Sequence, residues 1–336
     1  MKNAMFTART WVIACTLACS MAEAETTHTI YLDDDLFSGM SNDADYTGGG
    51  AFTVAGTLEP DATPGRQARL AAMDRLLGIQ SSSYRYELEI GVAAFTPADI
   101  RDSEPVWDDR PYAGLVYVSG SLQQIQDPYR SAVTSLAVGV LGSAFVPHAQ
   151  RRVHRTMGSE RPRGWQHQVS DGAEPTLRLM HERKWTSEVT DFRGSRMQWF
   201  YRAGGGVGFL TDLSAGIGAR VGRFADATWN IHGSATGLSD RGVMGSSDDA
   251  GDRFFYGTLS ARVPLYNALL QGQFRHSDVT VPSDRIRRLV PDLTLGFLIG
   301  LPKGRDMHYF VRGQLADVKL PQRSDTTVYA GVALSW

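Results

Sequence analysis

The stretch RRVHRTMGSERPRGWQHQ places His154, Gly158 and Glu160 within seven residues of one another. His154 is the one histidine in the chain flanked by both a candidate orienting carboxylate and a glycine turn. A histidine held that way can act as a general base toward water. Upstream, Asp33, Asp34 and Asp35 form an unbroken carboxylate run, and Thr47 follows Tyr46 a short way on. Carboxylates this close repel one another unless a cation neutralises them. Such hard oxygens, with a hydroxyl beside them, suit Ca²⁺.

Each of these features also has a plainer explanation. A loop histidine is commonly a solvent-facing or structural residue, and an aspartate run at a strand end is commonly a solvated rim. The stretch DDRPYAG (residues 108–114) is charged, yet Asp109-Arg110-Pro111 reads most simply as an ion-paired corner, with Pro111 fixing φ. No Gly-x-Ser-x-Gly elbow and no His-Glu-x-x-His helix occurs, and His181-Glu182 lacks a second histidine.

What must position these residues is a set of strands. Period-two alternation recurs along the chain. Tyr86, Leu88, Ile90 and Val92 share one face, as do Leu293, Leu295, Phe297 and Ile299, and Val328, Ala330, Val332, Leu334 and Trp336. Alternation alone also fits a soluble sandwich. Strands of about ten residues, aromatics near their ends and a final strand closing on Trp336 favour a bilayer-spanning barrel. The expected fold is therefore all-β, an antiparallel transmembrane β-barrel of about 12 strands with short helical segments in its connections. The strands are expected at 26–33, 46–57, 84–95, 112–124, 133–145, 174–187, 196–209, 213–223, 253–264, 286–300, 307–317 and 326–336. After Pro64, the helical spacing of Leu70, Met73, Leu76 and Leu77 predicts a short amphipathic helix at the barrel's periplasmic mouth.

The N-terminus fits export. Lys2 and Arg9 precede the apolar run Trp11–Met21, and Ala22-Glu23-Ala24 is a small-x-small cleavage signal. Residues 1–24 are expected to be a cleaved signal peptide and 25–336 the barrel domain. A loosely lipobox-like Thr16-Leu17-Ala18-Cys19 offers an alternative, but the cleavage site follows directly. Cys15 and Cys19 would leave with the signal, so neither disulfides nor thiolate chemistry serve the mature chain. Removing Lys2, Arg9 and Glu23 (net +1) takes the charge from −2 to −3, which suits no nucleic-acid partner.

With the N-terminus periplasmic, connections after odd strands face outward: 34–45, 96–111, 146–173, a tight turn near 210–212, 265–285 and 318–325. The three polar clusters thus share the outer rim, although long outer loops are also normal for inert barrels.

Together, the acidic end of the first strand with DYTGG, FTP…DRPYAGLVY, VHRTMG…GWQHQ, VPLYNALLQG and the terminal strand resemble the outer-membrane lipid A 3′-O-deacylase family over nearly the whole mature chain. The resemblance implies removal of an ester-linked acyl chain from lipid A in the outer leaflet of a Gram-negative outer membrane, with calcium as cofactor and insertion by the barrel-assembly machinery. By position, His154 matches the family's base and Glu160 the acidic residue after it. The Asn-Asp pair falls within Asp33–Asp35, best at Asp34 and Asp35, and the threonine after tyrosine is Thr47. Water deprotonated by His154 would attack the ester, and calcium held by Asp34, Asp35, Thr47 and Glu160 would stabilise the oxyanion. The chain departs from the family in having aspartate for asparagine. It also has no lysine between Thr96 and Arg110, where Arg101 is the nearest cation, and arginine is no neutral substitute for lysine. Two alternatives remain: a structural or binding barrel of the same family without activity, or an outer-membrane phospholipase, which would need a serine nucleophile beside a histidine.

Overall fold

The computed structural model describes residues 26–38, 45–58, 64–225, 235–238, 251–319 and 326–336. The expected signal peptide lies outside these residues. Twelve long strands and one three-residue strand form a single antiparallel sheet. In chain order they are β1 (Thr26–Asp34), β2 (Asp45–Leu58), β3 (Ser83–Thr96), β4 (Ala113–Asp127), β5 (Arg130–Leu141), β6 (Glu174–Thr186), the short β7 (Thr190–Phe192), β8 (Ser195–Gly208), β9 (Leu210–Arg223), β10 (Arg253–Asn267), β11 (Val290–Leu301), β12 (Arg305–Leu315) and β13 (Thr326–Ser335). Neighbours in sequence pair, except β6 and β7. β1 also pairs with β13, and β6 pairs past β7 with β8, so the sheet closes on itself. The result is a twelve-stranded barrel, with β7 only extending a hairpin at one rim. Closure removes the free edges that an open sheet would expose.

Residues that pair across strands share a face, so the two sides of the wall can be read directly. Ile30, Phe52, Ile90, Leu136, Leu179, Leu259 and Leu295 point outward, and all are large, apolar and exposed. The inward rows are polar. Arg178 pairs with Asp212 at 2.7 Å, Arg262 with Asp317 at 2.6 Å and Arg312 with Asp292 at 3.3 Å. An aromatic cluster including Tyr31, Tyr46, Phe310 and Tyr329 fills the space between them. Apolar outside and polar inside is the pattern of a barrel whose solvent is lipid. No helix among the described residues is long and apolar enough to cross a membrane.

The turns at 128–129 and 302–304 leave one end of the barrel, as do the connections 59–82 and 224–252; the connections 97–112, 142–173 and 268–289 leave the other, with a tight turn at 209. The end with most of the short hairpin turns is taken as periplasmic.

Three helices stand in the connections: α1 (Pro64–Leu77), α2 (Phe145–Met157) and α3 (Ala268–Gln271). Two expectations need correction here. The fifth strand does not run on to residue 145 but stops at Leu141, and α2 takes over. Gly142 turns the chain with φ +72°, and a side chain there would overlap the Ser170 carbonyl. The second correction concerns α1, which does not sit in the barrel mouth. Its Leu70 packs with Leu58, Tyr84 and Tyr86. These belong to the outward rows, since Tyr84 pairs with Leu58 and lies six residues before Ile90. The helix therefore lies on the outside of the wall. The expected single apolar stripe is not found either: Leu70 is buried against the wall, while Leu76 is exposed on the far side of the helix.

Candidate active site

The line of cross-strand neighbours Asp34, Gly48, Ala94 and Gly114 runs along the outward face near the outer rim. At about 4.8 Å per strand, Gly114 lies roughly 14 Å from Asp34. Between them the wall carries nothing larger than a methyl group. A Cβ on Gly48 would stand 3.0 Å from Asp34 Oδ2, so the glycine leaves that carboxylate its space.

The far side of this bare floor is bounded by α2. Val146 packs with Ile100, Tyr112 and Trp165 and against the outward side chains of Ala94 and Val116. A Cβ on Gly114 would lie 2.9 Å from Val146 Cβ, so only glycine lets the helix come this close. The buried face of α2 is Val146, Gln150 and His154, spaced every four residues, and it turns toward the wall. His154 therefore stands in the cleft between helix and wall, 6% exposed. Gly158, at φ +71°, caps the helix and turns the chain back over its last turn.

That turn sets the tautomer of His154. Its Nδ1 lies 2.5 Å from the backbone carbonyl of Glu160. A carbonyl only accepts, so Nδ1 carries a hydrogen and Nε2 is the ring nitrogen left for chemistry. The Glu160 side chain faces elsewhere. It is exposed and lies 3.6 Å from Arg101 Nε. Arg101 is itself gripped by Asp99, at 3.0 Å through Nε and 3.1 Å through its terminal nitrogen. That hydrogen bonding holds the Asp99 carboxyl below its ordinary range.

The aspartate run divides by strand parity. Asp34 continues the outward row of Ile30 and Leu32. Asp33 points inward and accepts hydrogen bonds from Tyr31 and Tyr46 hydroxyls at 2.8 Å each. Asp35 is buried just past the strand, where its N–H donates to the Thr47 carbonyl at 3.3 Å. Thr47 sits at a bulge in β2, and its hydroxyl is 2.6 Å from that of Thr96, the last residue of β3. Thr96 is a site neighbour that the sequence did not single out. Only the strand register brings it to Thr47.

The structure thus groups Asp34, Asp35 and Thr47 at one edge of the trough, and His154 with the Glu160 main chain at the other. It does not join the Glu160 carboxylate to the aspartates. Among the described residues, no three acidic, histidine or cysteine groups gather as a metal cage. Asp34, Asp35 and Thr47 fit calcium in kind, as hard oxygen donors brought near one another by the pairing of β1 with β2. The Glu160 carboxylate, beside Arg101, is not brought to them.

Two outer connections hold the cleft. The rings of Tyr112 and Trp165 lie 4.9 Å apart, and the Trp165 indole donates to Gln150 on α2 at 2.7 Å. Arg163 N–H donates to the Ile100 carbonyl at 2.8 Å. At the DDRPYAG corner, Asp109 accepts from the Ala98 and Arg110 amides at 2.7 Å each, and Arg110 lies over the Phe95 ring at 4.2 Å. The corner shapes the loop beside the cleft.

The segment 145–163 is also strongly basic. Arg151, Arg152, Arg155, Arg161 and Arg163 oppose Glu160 alone, giving +5 − 1 = +4 in a chain whose total is −2.

The family model described as outer membrane protein LpxR matches residues 6–336. Among solved structures, LpxR from Salmonella typhimurium is similar over 92% of this chain and 99% of its own, with a TM-score of 0.72 at 17% identity. The translocator domain of the autotransporter NalP from Neisseria meningitidis covers 99% of this chain and 95% of its own, with a TM-score of 0.43 at 6% identity. No curated protein matches the sequence.

Proposed function

The chain belongs to the LpxR outer membrane protein family, and from that premise we propose that it is an outer-membrane ester hydrolase that removes the 3′-O-linked acyl chain of lipid A. The observation that carries this reading is the placement of His154. Its Nδ1 is tied to the Glu160 carbonyl, and the ring is held in a cleft on the lipid-facing side of the wall, beside a trough floored by glycine and alanine. An enzyme acting on a soluble substrate would gain nothing from a base facing the acyl layer.

In the proposed reaction, His154 Nε2 takes a proton from water as the oxygen attacks the ester carbonyl. The Glu160 carbonyl supports the imidazolium that forms, through the Nδ1–H bond already present. Collapse of the tetrahedral species breaks the acyl–oxygen bond. The proton returns to the sugar alkoxide, and a fatty acid and a free hydroxyl leave. Asp34, Asp35 and Thr47 would hold calcium, which when bound supplies positive charge for the developing oxyanion. The arginines of α2 and of the turn after it complement the phosphates of lipid A.

The test is mass spectrometry of lipid A from cells producing the wild type or His154→Ala. Loss of one 3′ acyl chain with the wild type alone is expected. An unchanged profile with a correctly inserted wild-type barrel, in calcium, overturns the reading in favour of a binding barrel. Release of lysophospholipid would identify a phospholipase instead.

A further inference from the structure

Helix α1 is held against the outer wall at the periplasmic end by more than its apolar side. The buried Asp74 carboxylate accepts from Gln124 at 2.6 Å, from the Tyr84 hydroxyl at 2.8 Å and from Ser81 through both its amide and its hydroxyl. Gln124 pairs with Tyr84 across the strands and shares its outward face. Farther round the wall, Arg183 donates to the Leu77 carbonyl, closing the end of the helix. The helix therefore occupies a place on the wall where lipid would otherwise stand.

Its remaining surface is unusual for a helix packed on a soluble core. Leu70 is buried against the wall, while Leu76, 240° farther round at 100° per residue, is 83% exposed. Arg69 and Arg75 are exposed near it, and the only carboxylate of the helix, Asp74, is turned inward. The helix thus offers apolar and cationic groups on its free side, with no exposed acid among its own residues. The helix packs on the wall beside Leu88 and Leu122, in the same outward-facing rows as the exposed, apolar Ile90 and Leu136.

We propose that α1 is an interfacial helix binding anionic phospholipid in the periplasmic leaflet. Leu76 enters the acyl boundary, and Arg69 and Arg75 take the headgroup phosphate. Continuity with the lipid-facing wall and charge complementarity both select this occupant. The inference does not depend on catalysis at the outer rim.

The test uses the full-length protein in nanodiscs of phosphatidylcholine alone or mixed with phosphatidylglycerol. Native mass spectrometry is expected to show phosphatidylglycerol retained preferentially. Arg69→Gln and Arg75→Gln should each reduce that preference about 5-fold, and together about 30-fold. In a separate variant, Leu76→Cys carries an environment-sensitive dye, with Lys303→Cys in a periplasmic turn as the aqueous control. Bromine-labelled lipid is expected to quench the Leu76 label and not the control. A Leu76 label quenched only by an aqueous quencher, or an unchanged lipid preference in the double arginine variant, overturns the proposal. Heat-modifiable gel migration confirms that each variant forms the barrel.

Discussion

His154 and Glu160 meet through the main chain: the imidazole Nδ1 donates to the Glu160 carbonyl at 2.5 Å, while the Glu160 carboxylate looks away toward Arg101. The glutamate is therefore placed to fix the base by its position in the turn after Gly158. Removing the base and removing the carboxylate should have different consequences. His154→Ala is expected to lower lipid A deacylation by ~10²–10⁴-fold with the barrel intact. Glu160→Gln, which keeps the carbonyl, should retain activity within about 10-fold. Comparable losses in both variants, measured by lipid A mass spectrometry, would assign the carboxylate a direct role.

Asp34 and Thr47 are the outer-wall donors nearest the glycine floor. Asp34→Asn keeps the shape and removes the charge. Calcium binding, followed by calorimetry on the detergent-solubilised protein, should weaken at least ~10-fold in this variant. A chelator should abolish wild-type deacylation, and added calcium should restore it. Unchanged calcium affinity in Asp34→Asn would move the ion elsewhere.

Arg152 and Arg155 are exposed on α2. If they meet lipid A phosphates, reversing their charge affects binding before chemistry. Arg152→Glu with Arg155→Glu should cost about 2 kcal/mol or more, seen as a ~30-fold rise in KM with kcat within a few-fold. An equal fall in kcat at constant KM would contradict this assignment.

Gly114 lets Val146 settle on the wall. Gly114→Val should push α2 outward at a cost of ~1–3 kcal/mol. The expected signature is loss of activity and faster hydrogen exchange across Phe145–Met157, with the strands still protected. Unchanged exchange there would show that the wall can yield instead.

Burial raises the Asp74 pKa, but hydrogen bonds from Gln124, Tyr84 and Ser81 outweigh it and hold the carboxyl below its ordinary 3.8. A depressed folded-state pKa gives stabilisation that is complete above the unfolded value and lost as pH falls through the folded one. Docking of α1 should therefore be constant from neutral pH to about 4 and weaken below it. Hydrogen exchange over Pro64–Leu77 measures this. Asp74→Asn should remove the dependence, and a wild-type profile flat down to strong acid would refute it.

The barrel was legible because alternation is a local property of each strand, and twelve such patterns with an apolar face admit few architectures. The candidate residues could be picked out by type, but their orientation could not. The run Asp33–Asp35 looks uniform as text, yet one step along a strand reverses the face. Tyr31 and Asp33 go inward while Leu32 and Asp34 go out. Applying the parity of Ile30 and Leu32 to Asp34 would have revealed the division. Thr96 could not be found that way, because its link to Thr47 depends on the bulge in β2 and on register between strands far apart in sequence. The side of the wall occupied by α1 was equally hidden, since its contact rests on Leu70 and on the polar anchor Asp74 and not on a continuous apolar stripe.

Both α1 and α2 rest on β3 and β4, one at each end. On β4 they cover Leu122 and Val116, and on β3 the stretches around Tyr86 and Ala94, so little more than Ile90, Val92 and Val118 remains for acyl chains. Four or five residues at ~3.3 Å span about 15 Å, well short of the ~25 Å apolar band of an ordinary outer-membrane barrel. Next door, β5 and β6 still present Leu136, Val138, Val140, Leu177 and Leu179. The wall's own hydrophobic belt is therefore notched along one sector, with α1 taking up the lipid contact at its periplasmic end, and beside α2 the bilayer would thin or its lipids tilt. On the proposed function, a lipid in that dent would have its ester region drawn down toward the trough before any residue touches it.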